Sequence, residues 1–197
     1  MNTRLILASK SASRRAMLEA AGVIYEAVPA QIDERALEAG MAGAGPAAIA
    51  EALAVAKAAA VAAAHPEALV LGSDSLVVVD GRRFDKPATR EEAAEHLRFF
   101  SGKAMHLHSG AALVRGNTCE WSHNALARLH VRALSEAFIA NYLAQEWPEV
   151  SHTVGVFRIE ALGVQLFESI EGEHFTILGM PLLPVLGALR EAGVLRA

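Results

Sequence analysis

The stretch Ala68–Val79, ALVLGSDSLVVV, has the aliphatic and β-branched composition of a buried strand but contains one acid, Asp74. Strands disfavour aspartate, and a buried carboxylate without a partner is costly to desolvate. A chain that keeps a carboxylate at such a position commonly uses it to hold a cation or to accept a proton. Asp74 is therefore the first candidate for a catalytic residue. The alternative is an aspartate at a strand end that caps the next turn.

Length and composition restrict the class of protein. With 197 residues, 53% of them hydrophobic, the chain can bury one sizeable core or two small lobes, and we expect a single domain over residues 1–197. The net charge of −4 argues against nucleic-acid binding by bulk electrostatics. One cysteine excludes an intrachain disulfide. We find no signal peptide and no uncharged apolar run of roughly 20 residues, so we expect a cytoplasmic protein with no membrane partner.

Short apolar strands alternate with helical patterns along the chain, which predicts an α/β domain. The predicted strands are Arg4–Ala8, Ile24–Pro29, the Asp74 stretch up to the turn Asp80-Gly81, and a hairpin of Met105–Val114 and Cys119–Val131. The predicted helices are Ser11–Ala21, Pro46–Ala64, Thr89–Phe100, Ser135–Glu146 and a last one between Pro181 and Gly193. Three glycines make Glu38–Gly45 a candidate flexible loop, and the segment before Gly179 is expected to alternate strand and turn.

Two adjacent arginines, Arg14 and Arg15, fall in the first turn of the helix that follows a serine-rich turn. Helix N-termini favour anions, so cations there suggest a shared bound phosphate, which the planar guanidinium group suits. The alternative is a pair of solvated surface arginines. A Walker A loop is absent from the sequence, so any phosphate site is of another type.

Further charged residues occur where a phosphate site could use them. Lys57 lies in an alanine-rich helix with no acid three or four residues away, so it either extends to water or points into a site. Lys86 precedes a proline shortly after the Asp74 strand, and Glu34 follows the second strand. Two carboxylates with several cations from different segments are the groups that bind a metal–polyphosphate complex.

These residues together form a recognisable pattern. The ordered set is Ser9-x-Ser11-x-x-Arg14-Arg15, Asp33-Glu34, Ala56-Lys57-Ala58, Gly72-Ser-Asp74, Lys86-Pro87, Ser101-Gly102 and Gly179-Met-Pro181. It resembles the Maf (septum formation) family of nucleoside triphosphate pyrophosphatases over nearly the whole chain. The resemblance implies an α/β fold with a mixed sheet, flanking helices and a central cleft, related to the inosine triphosphate pyrophosphatases. It also implies a homodimer and Mg²⁺-dependent cleavage of a nucleoside triphosphate to the monophosphate and pyrophosphate.

The resemblance assigns a role to each matching position. Asp74 corresponds to the general base, and Glu34 with Asp74 to the metal-binding carboxylates. The positions that line the triphosphate are Ser9, Arg14, Arg15, Lys57 and Lys86. One departure concerns this set: Asp85 replaces the usual glycine before Lys86, and its charge could weaken phosphate binding or add a metal ligand.

Three further positions, Ser13, Ser75 and Glu160, match those at which family members with different substrates differ. Relatives that act on pyrimidine triphosphates tend to carry glutamine at the position of Glu160, whereas those acting on 7-methyl-GTP carry glutamate. Ser75 is closer to the threonine of the pyrimidine group, and Ser13 matches neither. We therefore expect a 7-methyl-GTP pyrophosphatase. The alternatives are a dTTP/UTP pyrophosphatase of the same family and a non-catalytic nucleotide-binding regulator of cell division.

Overall fold

The computed structural model describes residues 3–196, which form seven strands, seven α-helices and two short 3₁₀ helices. The strands are β1 Leu5–Leu7, β2 Glu26–Ala27, β3 Leu69–Val79, β4 Arg82–Phe84, β5 Ala104–Arg115, β6 Thr118–Val131 and β7 Phe167–Glu171. The α-helices are α1 Ala12–Ala20, α2 Glu34–Ala39, α3 Pro46–Ala62, α4 Arg90–Phe100, α5 Glu136–Glu146, α6 His174–Ile177 and α7 Leu182–Glu191. The 3₁₀ helices are Glu149–His152 and Leu162–Leu166. None of these helices has both the length and the apolar character needed to cross a bilayer.

The strands form one mixed sheet in the order β2-β1-β3-β5-β6-β7, with β4 paired to β3. Strands β1, β2 and β3 are parallel, whereas β4 and β7 run antiparallel to their neighbours. Strands β5 and β6 are neighbours in the sheet and are joined by a two-residue turn at positions 116–117. They form the predicted hairpin. The predicted α/β fold with a mixed sheet and flanking helices is thus confirmed.

The chain divides into two compact units, and three strands contribute residues to both. The first unit comprises the chain up to Ser75, His108–Ala125 and the segment from His174 onward. Alternate residues of its parallel strands pack on opposite faces of the sheet, as the pleat of a strand requires. On one face Leu5 and Leu7 join residues of α1 and α7, and on the other face Ile6 joins residues of α3. This unit is therefore a sheet between two helical layers.

Helix α3 lies unusually close to the sheet because two glycines face it. A Cβ at Gly72 would be 2.1 Å from the carbonyl oxygen of Ala54, and one at Gly110 would be 2.5 Å from that of Ala50. The facing helical residues Ala50, Ala54 and Ala58 are four apart and fully buried, so they share one side of the helix. The alanine-rich composition thus serves close packing of helix on sheet.

The second unit comprises Leu76–Leu107 and Leu126–Glu173. Its helix α4 is capped by Thr89, the first residue of the predicted helix, whose side chain accepts from the Glu92 amide at 3.1 Å. The ring of His96 packs edge-on against Phe84 with 5.0 Å between centroids, and Phe100 joins the same cluster. An Arg98–Glu136 ion pair links α4 to α5.

Several sequence-based expectations were wrong in detail. The segment around Glu38 is not entirely a loop, because Asp33 caps a six-residue helix, α2, by accepting from the Ala36 amide at 2.9 Å. Strand β2 is two residues long rather than six. The segment before Gly179 contains two 3₁₀ helices and α6 with only one strand. Strand β4, which follows the predicted turn at Asp80, was not expected from so short a segment.

Candidate functional site

The first site residues lie where the parallel pairing of β1 with β3 ends. Leu7 of β1 is in register with Leu71 of β3, so Ser9 and Asp74 both lie just beyond the paired section. In α/β proteins this edge of a parallel sheet is the usual place for ligands. Asp74 is 7% exposed and Ser9 is 8% exposed, so both side chains are buried.

Asp74 is paired with Lys57. The Lys57 ammonium contacts Asp74 Oδ1, and it also lies 2.8 Å from Glu34 Oε1. The Lys57 and Asp74 side chains are 14% and 11% exposed, whereas that of Glu34 is 46% exposed. Lys57 therefore points inward rather than to water. The pairing depends on the contact of α3 with β3, because Lys57 adjoins Ala58, which packs on Gly72.

Arg14 is held by a second set of contacts. Its Nε donates to the Gly179 carbonyl oxygen at 2.9 Å, Nη2 donates to Ser75 Oγ at 3.1 Å, and Nη1 donates to Ser9 Oγ at 3.4 Å. A guanidinium group has five N–H donors, so these three bonds leave one on each terminal nitrogen. Two such donors are what a bidentate contact with a phosphate uses.

Arg14 is a half-buried cation with two acids near its guanidinium group. Burial lowers the pKa of the guanidinium, and the carboxylates of Asp74 and Glu34 partly offset that effect. Arg14, Asp74 and Glu34 therefore place opposite charges close together in the first unit. Such an arrangement suits a ligand that brings both phosphate groups and a divalent cation.

The remaining predicted residues of the first unit are less deeply placed. Ser13 is half-buried in α1, next to Arg14. Arg15 is on the exposed side of the same helix, where its Nε lies 4.0 Å from Glu19 Oε1. Its predicted contact with phosphate stays a prediction. Ser11 caps the helix, its side chain accepting from the Arg14 amide at 3.5 Å.

Lys86 and Glu160 belong to the second unit, where both are exposed. The neighbouring Asp85 has a carboxylate oxygen 3.3 Å from an Arg83 terminal nitrogen, so its charge is partly compensated locally. Glu160 lies in a turn after Arg158, whose pKa is raised mainly by hydrogen bonding to Glu146 and slightly by Glu160. The roles expected for Lys86 and Glu160 also stay predictions.

The carboxylates of Asp74 and Glu34 are the chemical groups that a hard divalent cation prefers. Within residues 3–196 no cluster of three or more histidine, cysteine, aspartate or glutamate side chains could hold a metal by itself. Mg²⁺ commonly binds through one or two protein carboxylates together with substrate phosphates. The two carboxylates that converge on Lys57 fit that mode of binding.

Sequence reasoning missed two residues, Ser73 and Ser109, that help to hold Arg14 in place through Gly179 and Ser75. Ser73 donates to the Gly179 carbonyl oxygen at 3.1 Å, Ser75 Oγ lies 3.0 Å from the same oxygen, and Ser109 Oγ lies 3.0 Å from Ser75 Oγ. Ser73 and Ser109 are fully buried polar residues in strands that are mostly apolar. That pattern, which directed attention to Asp74, is the signal that could have identified them.

The chain matches one family model and is similar to several known proteins. The family model described as Maf-like protein matches residues 4–192. A relative from Rhizobium etli named 7-methyl-GTP pyrophosphatase is 48% identical over 197 residues, with 99% of each chain covered. A relative from Sphingopyxis alaskensis named nucleoside triphosphate pyrophosphatase is 47% identical, covering 96% of this chain and 98% of that one. A solved structure of a HAM1 protein from Coxiella burnetii is 16% identical, with a TM-score of 0.42, and covers 66% of this chain and 73% of that one.

The family match extends from β1 to the end of α7 and includes every motif on which the resemblance was based. The identity to the two relatives is close to one half over almost the full length of each. On this evidence the chain belongs to the Maf-like protein family.

Proposed function

We propose that this protein hydrolyses a nucleoside triphosphate to the monophosphate and pyrophosphate, with 7-methyl-GTP as the preferred substrate. The observation that carries the proposal is the buried Asp74 carboxylate, paired with Lys57 and close to a second carboxylate, Glu34. Relatives named 7-methyl-GTP pyrophosphatase and nucleoside triphosphate pyrophosphatase support the reaction class and the substrate.

The reaction requires a nucleophilic water and charge neutralisation. A water oxygen attacks the α-phosphorus, the bond from that phosphorus to the bridging oxygen breaks, and pyrophosphate leaves with the bonding electrons. Asp74, a buried carboxylate within β3, accepts the proton that the attacking water loses. The two remaining N–H groups of Arg14 bind phosphate oxygens, where added negative charge develops.

Mg²⁺ is the proposed cofactor, with Asp74 and Glu34 as its protein ligands. When bound, it would neutralise phosphate charge and orient the triphosphate. Lys57 contacts both carboxylates, so it keeps them close together and limits their mutual repulsion. Lys57 also supplies a cation for the phosphates. Ser9, Arg15 and Lys86 are proposed to contribute further phosphate contacts.

The test is release of pyrophosphate from a panel of nucleotides that includes 7-methyl-GTP, GTP, UTP and dTTP, each with Mg²⁺ and with a chelator. We expect the highest kcat/KM with 7-methyl-GTP, and loss of activity with the chelator. Highest kcat/KM on UTP or dTTP would favour the pyrimidine alternative. Nucleotide binding without release of pyrophosphate from any member of the panel would favour the non-catalytic regulator.

We further propose a cytoplasmic homodimer. The homodimer rests on the family resemblance. The cytoplasmic location rests on the single, exposed cysteine, Cys119, which needs no oxidising compartment. Sedimentation equilibrium at micromolar protein concentration measures the mass directly. A monomer mass near 20.9 kDa would contradict the dimer.

A further inference from the structure

Ser109 is a fully buried hydroxyl in strand β5, within the first unit. Its Oγ is 3.0 Å from Ser75 Oγ and donates to the Thr176 carbonyl oxygen at 2.9 Å. Ser75 Oγ in turn accepts from Arg14 Nη2. A continuous row of hydrogen bonds therefore leads from the Arg14 guanidinium to a residue that the sequence pattern did not mark.

The directions of these hydrogen bonds follow from the chemistry of the groups. A carbonyl oxygen only accepts, so the Ser109 proton points to Thr176 and the Ser109 oxygen is available as an acceptor. The Gly179 carbonyl oxygen has two lone pairs, which Arg14 Nε and Ser73 Oγ can fill. The Ser75 proton is therefore best placed on Ser109. Each hydroxyl of the row then donates once and accepts once.

We propose that Ser109 is a positioning residue, which fixes the Arg14 guanidinium for phosphate binding by accepting the Ser75 proton. This inference rests on the proposed function, since it assigns Arg14 to the phosphates of the substrate. Ser109 itself is buried and touches Arg14 only through Ser75.

The expected effect of losing Ser109 follows from the alternatives open to Ser75. Without the Ser109 oxygen, the Ser75 proton turns to the Gly179 carbonyl oxygen, which is 3.0 Å away. That oxygen then has three donors for two lone pairs, and Arg14 Nε is one of them. The guanidinium group loses part of its support and no longer presents its two remaining N–H groups in a fixed orientation.

The test is a double-mutant cycle of Ser109→Ala and Arg14→Ala, read out by kcat/KM on 7-methyl-GTP and by calorimetric affinity for inorganic pyrophosphate. We expect Ser109→Ala to lower both quantities by about five- to thirtyfold in the parental background, and by less than about twofold when Arg14 is already alanine. Ser135→Ala is the control, because it removes a helix cap in the second unit and lowers stability without touching the row. Its kcat/KM should equal that of the parent.

The outcomes separate the inference from the function on which it rests. Equal losses from Ser109→Ala in both backgrounds, or no loss in the parent, would overturn the positioning role. If Arg14→Ala itself changed neither readout, the proposed role of Arg14 would be wrong instead. Thermal unfolding is measured for each variant. If Ser109→Ala does not fold, Ser109→Cys, which has a similar size but a weak donor and acceptor, replaces it in the same cycle.

Discussion

Gly72 of β3 and Ala54 of α3 approach so closely that a Cβ at Gly72 would lie 2.1 Å from the Ala54 carbonyl oxygen. The same added atom would be 2.8 Å from the amide nitrogen of Ala58. No side chain fits this space unless the helix moves. Since Lys57 adjoins Ala58, the distance between helix and strand also determines whether the ammonium group reaches Asp74.

Gly72→Ala should therefore reduce both stability and activity. We expect it to lower the free energy of unfolding by about 1–3 kcal/mol, the usual cost of overpacking, and to lower turnover because Lys57 moves away from Asp74. Urea unfolding and pyrophosphate release measure the two effects. Gly187→Ala is the matched control, because a Cβ there meets no atom within 4 Å and the residue lies inside helix α7. It should stabilise the protein by about 0.5–1 kcal/mol and leave turnover unchanged.

Asp74→Asn should abolish turnover while the fold is kept. The amide is nearly isosteric and its oxygen can still accept from Lys57, but it cannot take a proton from water. We expect kcat to fall by about 10²–10⁴-fold, with the circular dichroism spectrum unchanged. Asp80→Asn makes the same chemical change in the exposed turn after β3 and should retain full activity. A rate for Asp74→Asn near that of the parent would exclude Asp74 as the general base.

Lys57→Ala and Arg14→Ala should each weaken interaction with the triphosphate by on the order of 1–3 kcal/mol, the scale of a charge-assisted hydrogen bond. The monophosphate product lacks the β and γ phosphates, so its affinity should change less. Titration calorimetry with a non-hydrolysable triphosphate analogue and with the monophosphate compares the two. Arg190→Ala, an exposed arginine of α7, is the control and should change neither affinity. Equal losses for both ligands would place Lys57 and Arg14 away from the β and γ phosphates.

Local signals explain which parts of the fold were predictable. The helices capped by Ser11, Thr89 and Ser135 were predicted because each cap and the following pattern lie within a few residues of sequence. Helix α2 was missed because it has only six residues and none of them is buried, so no apolar periodicity marks it. The glycines that follow it suggested a loop over part of the same segment.

The candidate site was predictable where a residue contradicted its surroundings. Asp74 and Lys57 were found because each is a charge in an apolar segment, and the structure pairs them. Ser109 was not found, because its importance lies in contacts with residues 34 and 67 positions away. The Gly179 carbonyl oxygen, 165 positions from Arg14, is a backbone atom and carries no sequence signal of its own.

His96 predicts how stability depends on pH. It is 8% exposed among aromatic rings, and burial lowers its pKa below the ordinary value, an effect that Glu92 partly offsets. Since the unfolded chain binds the proton more tightly, stability is fully present above the unfolded pKa of about 6.5 and is lost as the pH falls below it. We expect the stability of the parent to fall more than that of His96→Phe between pH 7.5 and pH 5.5, measured by urea unfolding. The other histidines are common to both proteins, so identical pH dependence would show that His96 contributes nothing.

Glu160→Gln should shift specificity from 7-methyl-GTP toward UTP and dTTP. A carboxylate accepts two parallel hydrogen bonds from the N1–H and the exocyclic amine of guanine, whereas uracil and thymine offer one N–H between two carbonyl groups that repel it. Methylation at N7 puts positive charge on the ring, which strengthens the pairing with a carboxylate. We expect the ratio of kcat/KM for 7-methyl-GTP to that for UTP to fall roughly 10- to 150-fold, the equivalent of about 1.5–3 kcal/mol for a hydrogen bond to a charged group. Glu149→Gln is the control, since Glu149 is also an exposed acid of the second unit near Arg158, and it should leave the ratio unchanged. A ratio that stays at the parental value in Glu160→Gln would remove Glu160 from base recognition, whatever the substrate preference of the parent.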